Sequence, residues 1–495
     1  MGSSAMASSI QTGPVPPKSE VFEPECEPLN PISLAFREPS TQTVAPMAHP
    51  SATQPEVEDL EGTDRWPSRD AFEVPAIGSW TYRLMIRWGW LLMRTHFRIE
   101  IRGEEFPKSG PTVIIQNHSN GLGDAHFPMS STRRPLRVLV KYSLLKMPLV
   151  GYVLRNIDAI PMYRKKDGVD TRQNASSFEE IDEALLDGAV IAIFPEGESL
   201  NSHRLRQLKS GMGRMLVSAY EASDKTLNPI VVPVGVTYED RDRFRSLASA
   251  VIGEPFEVVP IIERAGTEFR IAIRAIMKES RARLEKLTIQ ADSEEEWRAA
   301  VGLERILPRS SAPIGMRQME ALEALRKDTG DGAERRREII EQLGGSLRRA
   351  RLSGDEVLAP APSLLGIAFP LLALSPLLAL SLAVWGIPVL VSERASLRAP
   401  TPDKVVTVRL LGNFVLVPAL AVLTAAVLAF TVSLAAGGAW LLASLVSVAT
   451  FTWSYDLAAE AVVRWRRRAI ARSSGGTESI QEALRSIREA FAAAR

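Results

Sequence analysis

The chain is 495 residues long and 45% hydrophobic, with one cysteine and with 59 basic residues against 58 acidic ones. That length and apolar content allow more than one structural unit, and the near-balanced charge gives no ground for a nucleic-acid partner. The single cysteine, Cys26, excludes an intramolecular disulfide framework and any multi-cysteine metal site.

Residues 1–75 are rich in Pro, Ser, Thr and Glu without a sustained hydrophobic period, and they read as a disordered tail. The first basic residue is Lys18 and no apolar run follows Met1, so a secretory signal is not expected. Met6 stands where a myristoylation signal wants serine or threonine.

Residues 76–262 are expected to form the first folded unit. It opens with an amphipathic helix over Trp80–His96, in which Trp80, Leu84, Trp88, Leu91 and Leu92 share a face beside Arg83, Arg87 and Arg94. Such a helix can lie on an anionic membrane surface or pack against the domain with its arginines solvated. Short β-branched runs then alternate with helical stretches, the pattern of an α/β domain. Strands are expected at Phe97–Ile101, Thr112–Gln116, Leu136–Val140, Val190–Phe194 and Ile230–Val234.

From 263 to 358 the sequence is charged and helically periodic, with Ile273–Leu287, Arg317–Lys327 and Ala333–Leu352 as helices of a connector. Residues 359–456 contain two uncharged stretches, Ala359–Ser392 and Leu410–Tyr455, both above the roughly 18 apolar residues that mark a bilayer span. An integral membrane protein is therefore expected, with a basic amphipathic tail over 457–495. Arginines and lysines lie between the two runs (Arg394, Arg398, Lys404, Arg409) and after the second (Arg464 to Arg472). The positive-inside rule puts these and the preceding α/β domain on the cytoplasmic face, so each run enters and leaves by the same side. The second run is long enough for two spans with a turn near Ala436-Gly437-Gly438; the first, broken by Pro370, Pro376 and Pro388, fits a re-entrant or interfacial hairpin.

The most informative string is Ile114-Ile115-Gln116-Asn117-His118-Ser119-Asn120-Gly121-Leu122-Gly123-Asp124. Six residues on one helix turn about 600°, so His118 and Asp124 can meet only across a turn, for which Gly121 and Gly123 supply permissive backbone. Asp124 can then hold one ring nitrogen of His118 and leave the other as a base for a hydroxyl. His126, close by, is expected on a helix surface. Three further strings follow: Ile160-Pro161-Met162-Tyr163-Arg164, ending in an anion ligand; Phe194-Pro195-Glu196-Gly197-Glu198-Ser199 with Lys209 soon after; and Ile230-Val231-Val232-Pro233-Val234, whose proline suits an edge or a bulge.

These four blocks, in this order over about residues 110 to 260, resemble the glycerolipid acyltransferase family of glycerol-3-phosphate and 1-acyl-glycerol-3-phosphate acyltransferases. The branch resembled has an N-H-x-N-x-x-x-D first block, here Asn117, His118, Asn120 and Asp124, with C-terminal hydrophobic segments; Arg245-Ser246 is similar as well. The resemblance implies an α/β acyltransferase domain with a mixed sheet and flanking helices, followed by the helical connector and C-terminal transmembrane helices.

By the same resemblance His118 and Asp124 are the catalytic pair. Arg164 with the Glu196-Gly197 turn binds the glycerol-phosphate or lysophosphatidate acceptor, Lys209 contacts phosphate, Pro233 shapes the acyl-donor side, and Asn117 and Ser199 join the substrate-binding set. The family's threonine and arginine after the third block are replaced by Glu198 and Ser199, and Glu198 is expected to turn away from a phosphate. The donor is acyl-CoA or acyl carrier protein as co-substrate, with no cofactor and no metal; membrane lipids are the remaining partners. The implied function is O-acyl transfer in phospholipid synthesis. A different lysophospholipid acceptor and a non-enzymatic membrane scaffold are the alternatives; a serine hydrolase is disfavoured because no G-x-S-x-G elbow occurs in the α/β region.

Overall fold

In the computed structural model, helix α1 (Trp80–His96) runs directly into strand β1 (Phe97–Gly103). The structure describes residues 80–492 apart from 133, 165–167, 169, 200–201, 267, 361–362, 374, 400, 402–403 and 473–475. The tail expected over residues 1–75, with Cys26, lies outside the described residues.

After β1 come β2 (Thr112–Gln116), α2 (Leu122–Ser131), β3 (Leu136–Lys141), α3 (Tyr142–Leu145), α4 (Pro148–Asn156), β4 (Ile160–Met162) and α5 (Asn174–Leu186). The sheet is completed by β5 (Val190–Ile193), α6 (Gly211–Ala222), β6 (Ile230–Tyr238), β7 (Ser246–Ile252) and β8 (Phe256–Glu257), followed by α7 (Val259–Ala265) and α8 (Phe269–Glu285). The strand order is β1-β7-β6-β2-β5-β3-β4, with β8 on β6. Pairing is parallel except where β6 meets β7 and β8, so the expected mixed sheet is present.

Alternation along each strand divides the sheet's side chains between two cores. Ile114, Ala192, Val232 and Val234 face one, shared with α1 and the later apolar helices; Val113, Ile115, Ile191 and Val231 face the other, shared with α5, α6 and α8. Helix α8, expected in the connector, therefore belongs to the sheet domain: Ala272, Ile276 and Leu284 are buried in its second core. Pro233 sits in a central strand, where the missing N–H is normally costly. It is tolerated because the antiparallel partner changes there. Val231 pairs with Phe256 of β8 and Val234 with Ile252 of β7, so the proline falls between the two ladders.

Helix α1 buries Tyr82, Ile86, Trp90, Leu92 and Met93, and of the expected apolar face Leu92 is buried while Trp88 and Leu91 are half-buried. Trp80 and Leu84 are exposed, while Trp88 donates from Nε1 to the carbonyl of Phe414 at 3.3 Å. The helix is apolar on most sides, so periodicity alone did not pick the packed stripe. Gly89 lets it approach α2 closely, since a Cβ there would lie 2.5 Å from His126 Nε2. His126 is thus wedged between two helices, not on a surface, because its partner helix offers no side chain at that point.

Helices α9 (Glu294–Ile306), α10 (Ile314–Lys327), α11 (Ala333–Ala350) and α12 (Gly354–Leu358) form a third core. Ser293 caps α9 by accepting from Glu296 N–H, and Ser353 with Glu356 forms a capping box on α12. The last helix, α17 (Gly476–Ala492), inserts Leu484, Ile487 and Phe491 into this core, and Arg488 pairs with Asp355 at 2.7 Å. The expected C-terminal tail is therefore packed against the connector through its apolar stripe.

Between them lie α13 (Leu364–Ala373), α14 (Ser375–Ser396), α15 (Val405–Thr431) and α16 (Leu434–Arg472). Helices α14 and α15, with 22 and 27 residues and mean hydropathies of 1.8 and 2.4, are long and apolar enough to cross a bilayer. Helix α13 has 10 residues, about 15 Å at 1.5 Å per residue, and is too short alone. Helix α16 is bent by 52° between Leu434–Val448 and Thr450–Ala469. Phe430, Leu434 and Leu445 are more than two-thirds exposed, an arrangement suited to lipid rather than water.

Each apolar run starts and ends against the sheet domain or its connector. Arg466 Nη1 of α16 donates to the carbonyl of Ala350 in the connector at 3.0 Å, and Arg409 Nη1 at the start of α15 donates to the carbonyl of Asp242 after β6. Leu122 N–H donates to Thr407 Oγ1, and Asp456 in α16 binds Arg245. The second run breaks at Val432–Ser433 rather than at Ala436-Gly437-Gly438. Gly437 instead lets α16 close on α15, where a Cβ would meet the Ala425 carbonyl at 2.6 Å.

Candidate active site

The parallel strands β2, β4, β5 and β6 deliver His118, Arg164, the Glu196-Gly197 turn and Tyr238 from their carboxyl ends, the usual place for a site in an open α/β sheet. Asn117 fixes the exit of β2: its Nδ2 donates to the Val236 carbonyl at 2.9 Å and its Oδ1 accepts from Val236 N–H at 2.7 Å. It extends the β2–β6 ladder by a side chain and aims the next residue, which is a structural use of Asn117.

His118 Nδ1 lies 2.9 Å from Asp124 Oδ2. Gly121 takes φ 50°, a left-handed value, and the turn brings Asp124 into the first turn of α2 beneath the ring. Asp124 has no exposure. Its carboxylate also accepts Asn120 N–H at 2.6 Å and the Tyr238 hydroxyl at 2.7 Å, so the buried charge has three donors. Tyr238 is packed between Phe97 and Phe127; burial, then the neighbouring Asp124 charge, pushes its phenol well above the ordinary range and keeps it a donor. The imidazole stacks on Phe194 at 4.2 Å, and no described residue bonds its Nε2.

Glu196 is buried and holds the loop from below: its Oε1 accepts His118 N–H at 2.8 Å and its Oε2 accepts Arg206 N–H at 3.3 Å. Burial raises its carboxyl above the usual range, against the pull of those two donors. Ser199 Oγ accepts Gly121 N–H at 2.7 Å and thereby ties the third block to the glycine turn.

Gly197, with φ 71°, gathers the basic residues. Arg164 Nη1 donates to its carbonyl at 2.9 Å, and Lys209 lies so close that a Cβ on Gly197 would meet Nζ at 2.6 Å. Glu198 does not turn away: it is 4.0 Å from Lys209 and 3.8 Å from Arg206, because their charges offset its own. Pro233 is buried in the sheet against Gly253 and does not line the cavity at His118. Arg245 lies at φ 59°, pairs with Asp456 and donates to the carbonyl of Phe97 at 3.1 Å, clamping α16 to the α1–β1 junction.

A cavity of about 120 Å³ opens beside His118 and Glu196. Its far wall comes from the connector: Trp297 of α9, Gln318 of α10 and Arg348 of α11. Nothing in their local sequence marked these three residues or Tyr238, since their role depends on contacts distant in the chain.

Residues 98–237 match the family model described as Acyltransferase. The chain is 36% identical over 85 residues to glycerol-3-phosphate O-acyltransferase 2 of Saccharomyces cerevisiae, covering 17% of this chain and 11% of that protein. It is 30% identical over 122 residues to the 1-acyl-sn-glycerol-3-phosphate acyltransferase of Pseudomonas aeruginosa, covering 25% and 46%. Less than half of either relative is spanned by the match. The crystal structure of a 1-acyl-sn-glycerophosphate acyltransferase from Thermotoga maritima aligns at 16% identity with a TM-score of 0.31, over 43% of this chain and 81% of that one. Through residues 98–237, which match the Acyltransferase family model, the chain is similar to glycerol-3-phosphate and 1-acyl-sn-glycerol-3-phosphate acyltransferases.

Proposed function

We propose that the protein transfers a fatty-acyl group from the thioester of acyl-CoA or acyl carrier protein to a hydroxyl of glycerol-3-phosphate or 1-acyl-glycerol-3-phosphate. The observation that carries this reading is the His118–Asp124 pair at 2.9 Å beside the Gly197 turn, where Arg164 and Lys209 converge. His118 Nε2 takes the proton of the acceptor hydroxyl as its oxygen attacks the thioester carbon. The tetrahedral intermediate collapses with cleavage of the C–S bond, and the proton passes to the departing sulfur as thiol. Arg164 and Lys209 supply fixed positive charge for the acceptor phosphate.

The protein acts at a membrane, with the sheet domain, the connector and α17 on the cytoplasmic side. Support comes from the apolar runs that leave from and return to the sheet domain or its connector, and from the arginines at their domain-side ends. Release of free thiol from acyl-CoA, assayed with glycerol-3-phosphate and with lysophosphatidate, tests the activity. His118→Ala should lower turnover by roughly 10² to 10⁴ with the fold retained. Turnover close to wild type in that variant, or no thiol release by the wild type with either acceptor and either donor, refutes the proposal.

A further inference from the structure

The cavity beside His118 differs chemically from the Gly197 turn. Its arginines are already engaged: Arg348 with Asp240 at 3.4 Å, Arg204 with Asp292 at 3.9 Å, and Arg241 with Asp242 at 3.3 Å and the Ser119 carbonyl at 3.2 Å. Glu239 is matched by Arg305 at 2.7 Å, and its carboxyl lies below the usual range because that arginine, Arg243 and Arg98 outweigh the effect of burial. A dianionic phosphate finds no uncommitted charge here. A neutral polar group fits.

Gln318 identifies that group. The residue is 3% exposed overall, it lines the cavity, and its side-chain amide, which no described residue bonds, opens into that space. Its position is built: Gly315, one turn earlier on α10, lets the helix close on Thr237, where a Cβ would come within 2.6 Å of Oγ1. An amide that opens into the cavity without a protein partner offers its NH₂ as a donor and its carbonyl as an acceptor to whatever occupies the site. Another amide matches both.

We infer that this connector-lined cavity is the subsite for the pantetheine arm of the acyl donor, with Gln318 pairing to one of its amides. The inference rests on the acyl-transfer reading above. Acyl-CoA and acyl carrier protein share this arm, which is neutral along its amides and ends in the sulfur whose acyl group must reach His118. Glycerol-phosphate acceptors carry no amide, and their charge matches the Arg164–Lys209 side.

The test uses the full-length protein in detergent and two apolar replacements of similar size, Gln318→Leu and Gln318→Met. Thiol release is measured while donor and acceptor are varied separately, and coenzyme A binding is measured directly by titration calorimetry. Loss of one or two neutral hydrogen bonds should raise the donor KM and the coenzyme A dissociation constant about 5- to 30-fold. The acceptor KM should stay within twofold, and the Tm should be unchanged because the amide makes no hydrogen bond to a described residue. A donor KM and coenzyme A affinity unchanged in both variants would mean that Gln318 meets only water, and would overturn the inference. A rise in the acceptor KM alone would overturn it too. Wild-type protein that binds coenzyme A in a Gln318-dependent way yet releases no thiol refutes the acyl-transfer reading and leaves the subsite standing.

Discussion

Tyr238→Phe removes one oxygen and keeps the ring that packs on Phe97 and Phe127 at centroid distances of 5.1 and 6.2 Å. What is lost is one of three donors on the fully buried Asp124 carboxylate. Hydrogen bonds to a charged group are each worth about 1.5–3 kcal/mol, which bounds the loss of stability. Catalysis feels only the part that passes through Asp124 to the ring of His118. At about 1.4 kcal/mol per tenfold in rate, transmission of half that energy gives a kcat lower by roughly 3- to 12-fold. Neither KM should move, since Tyr238 acts behind the base and not on a substrate. The discriminating measurement is a double-mutant cycle: in an Asp124→Asn background, Tyr238→Phe should cost no further activity, because its only route to the chemistry has gone. A kcat within twofold of wild type, or losses that multiply in the double variant, would refute the positioning role.

Arg164→Ala should raise the acceptor KM about ten- to a hundredfold, the cost of one charge-assisted contact, with the donor KM unchanged; initial-rate kinetics with each substrate varied will show which one responds. Lys209→Ala should have the smaller effect, since Glu198 at 4.0 Å already offsets part of that charge. Glu196 binds its proton more tightly in the folded protein than in the unfolded chain, because burial raises its carboxyl. Its contribution is therefore fully present below the ordinary glutamate range and declines as pH rises toward the raised folded value. The Tm of Glu196→Gln minus that of wild type should accordingly grow as pH rises above the ordinary glutamate range, about pH 4; a difference that stays flat or shrinks contradicts the assignment. For topology, single cysteines are placed in a Cys26→Ser background. Leu397→Cys, between the runs, should be shielded from a membrane-impermeant reagent in intact cells, while Ser433→Cys, at the α15–α16 turn, should be labelled. Labelling of Leu397→Cys reverses the proposed orientation.

Legibility followed the range of the contacts. His118 and Asp124 are six residues apart with two glycines between them, so a local argument about turn geometry placed them together, and the structure holds them at 2.9 Å. The apolar strands were legible for the same reason, since their β-branched runs are short and bounded by turns. Tyr238 is 114 residues from the carboxylate it binds, and in sequence it is an aromatic at the end of a strand, indistinguishable from a core residue. Gln318 is less visible still, a polar residue in a charged helix whose burial depends on Gly315 letting α10 meet β6. The face of α1 was partly misjudged because both of its stripes are apolar and only the tertiary partner, Phe414 of α15, decides which side is covered. Glu198 looked repulsive toward a phosphate only while its neighbours were unknown; beside Lys209 and Arg206 it becomes a counter-charge that leaves Arg164 as the main cation at the Gly197 turn. Motifs thus locate the His118–Asp124 pair, whereas Tyr238, which bonds Asp124, and Gln318, which lines the cavity beside His118, lie on elements whose meeting the sheet and the connector arrange.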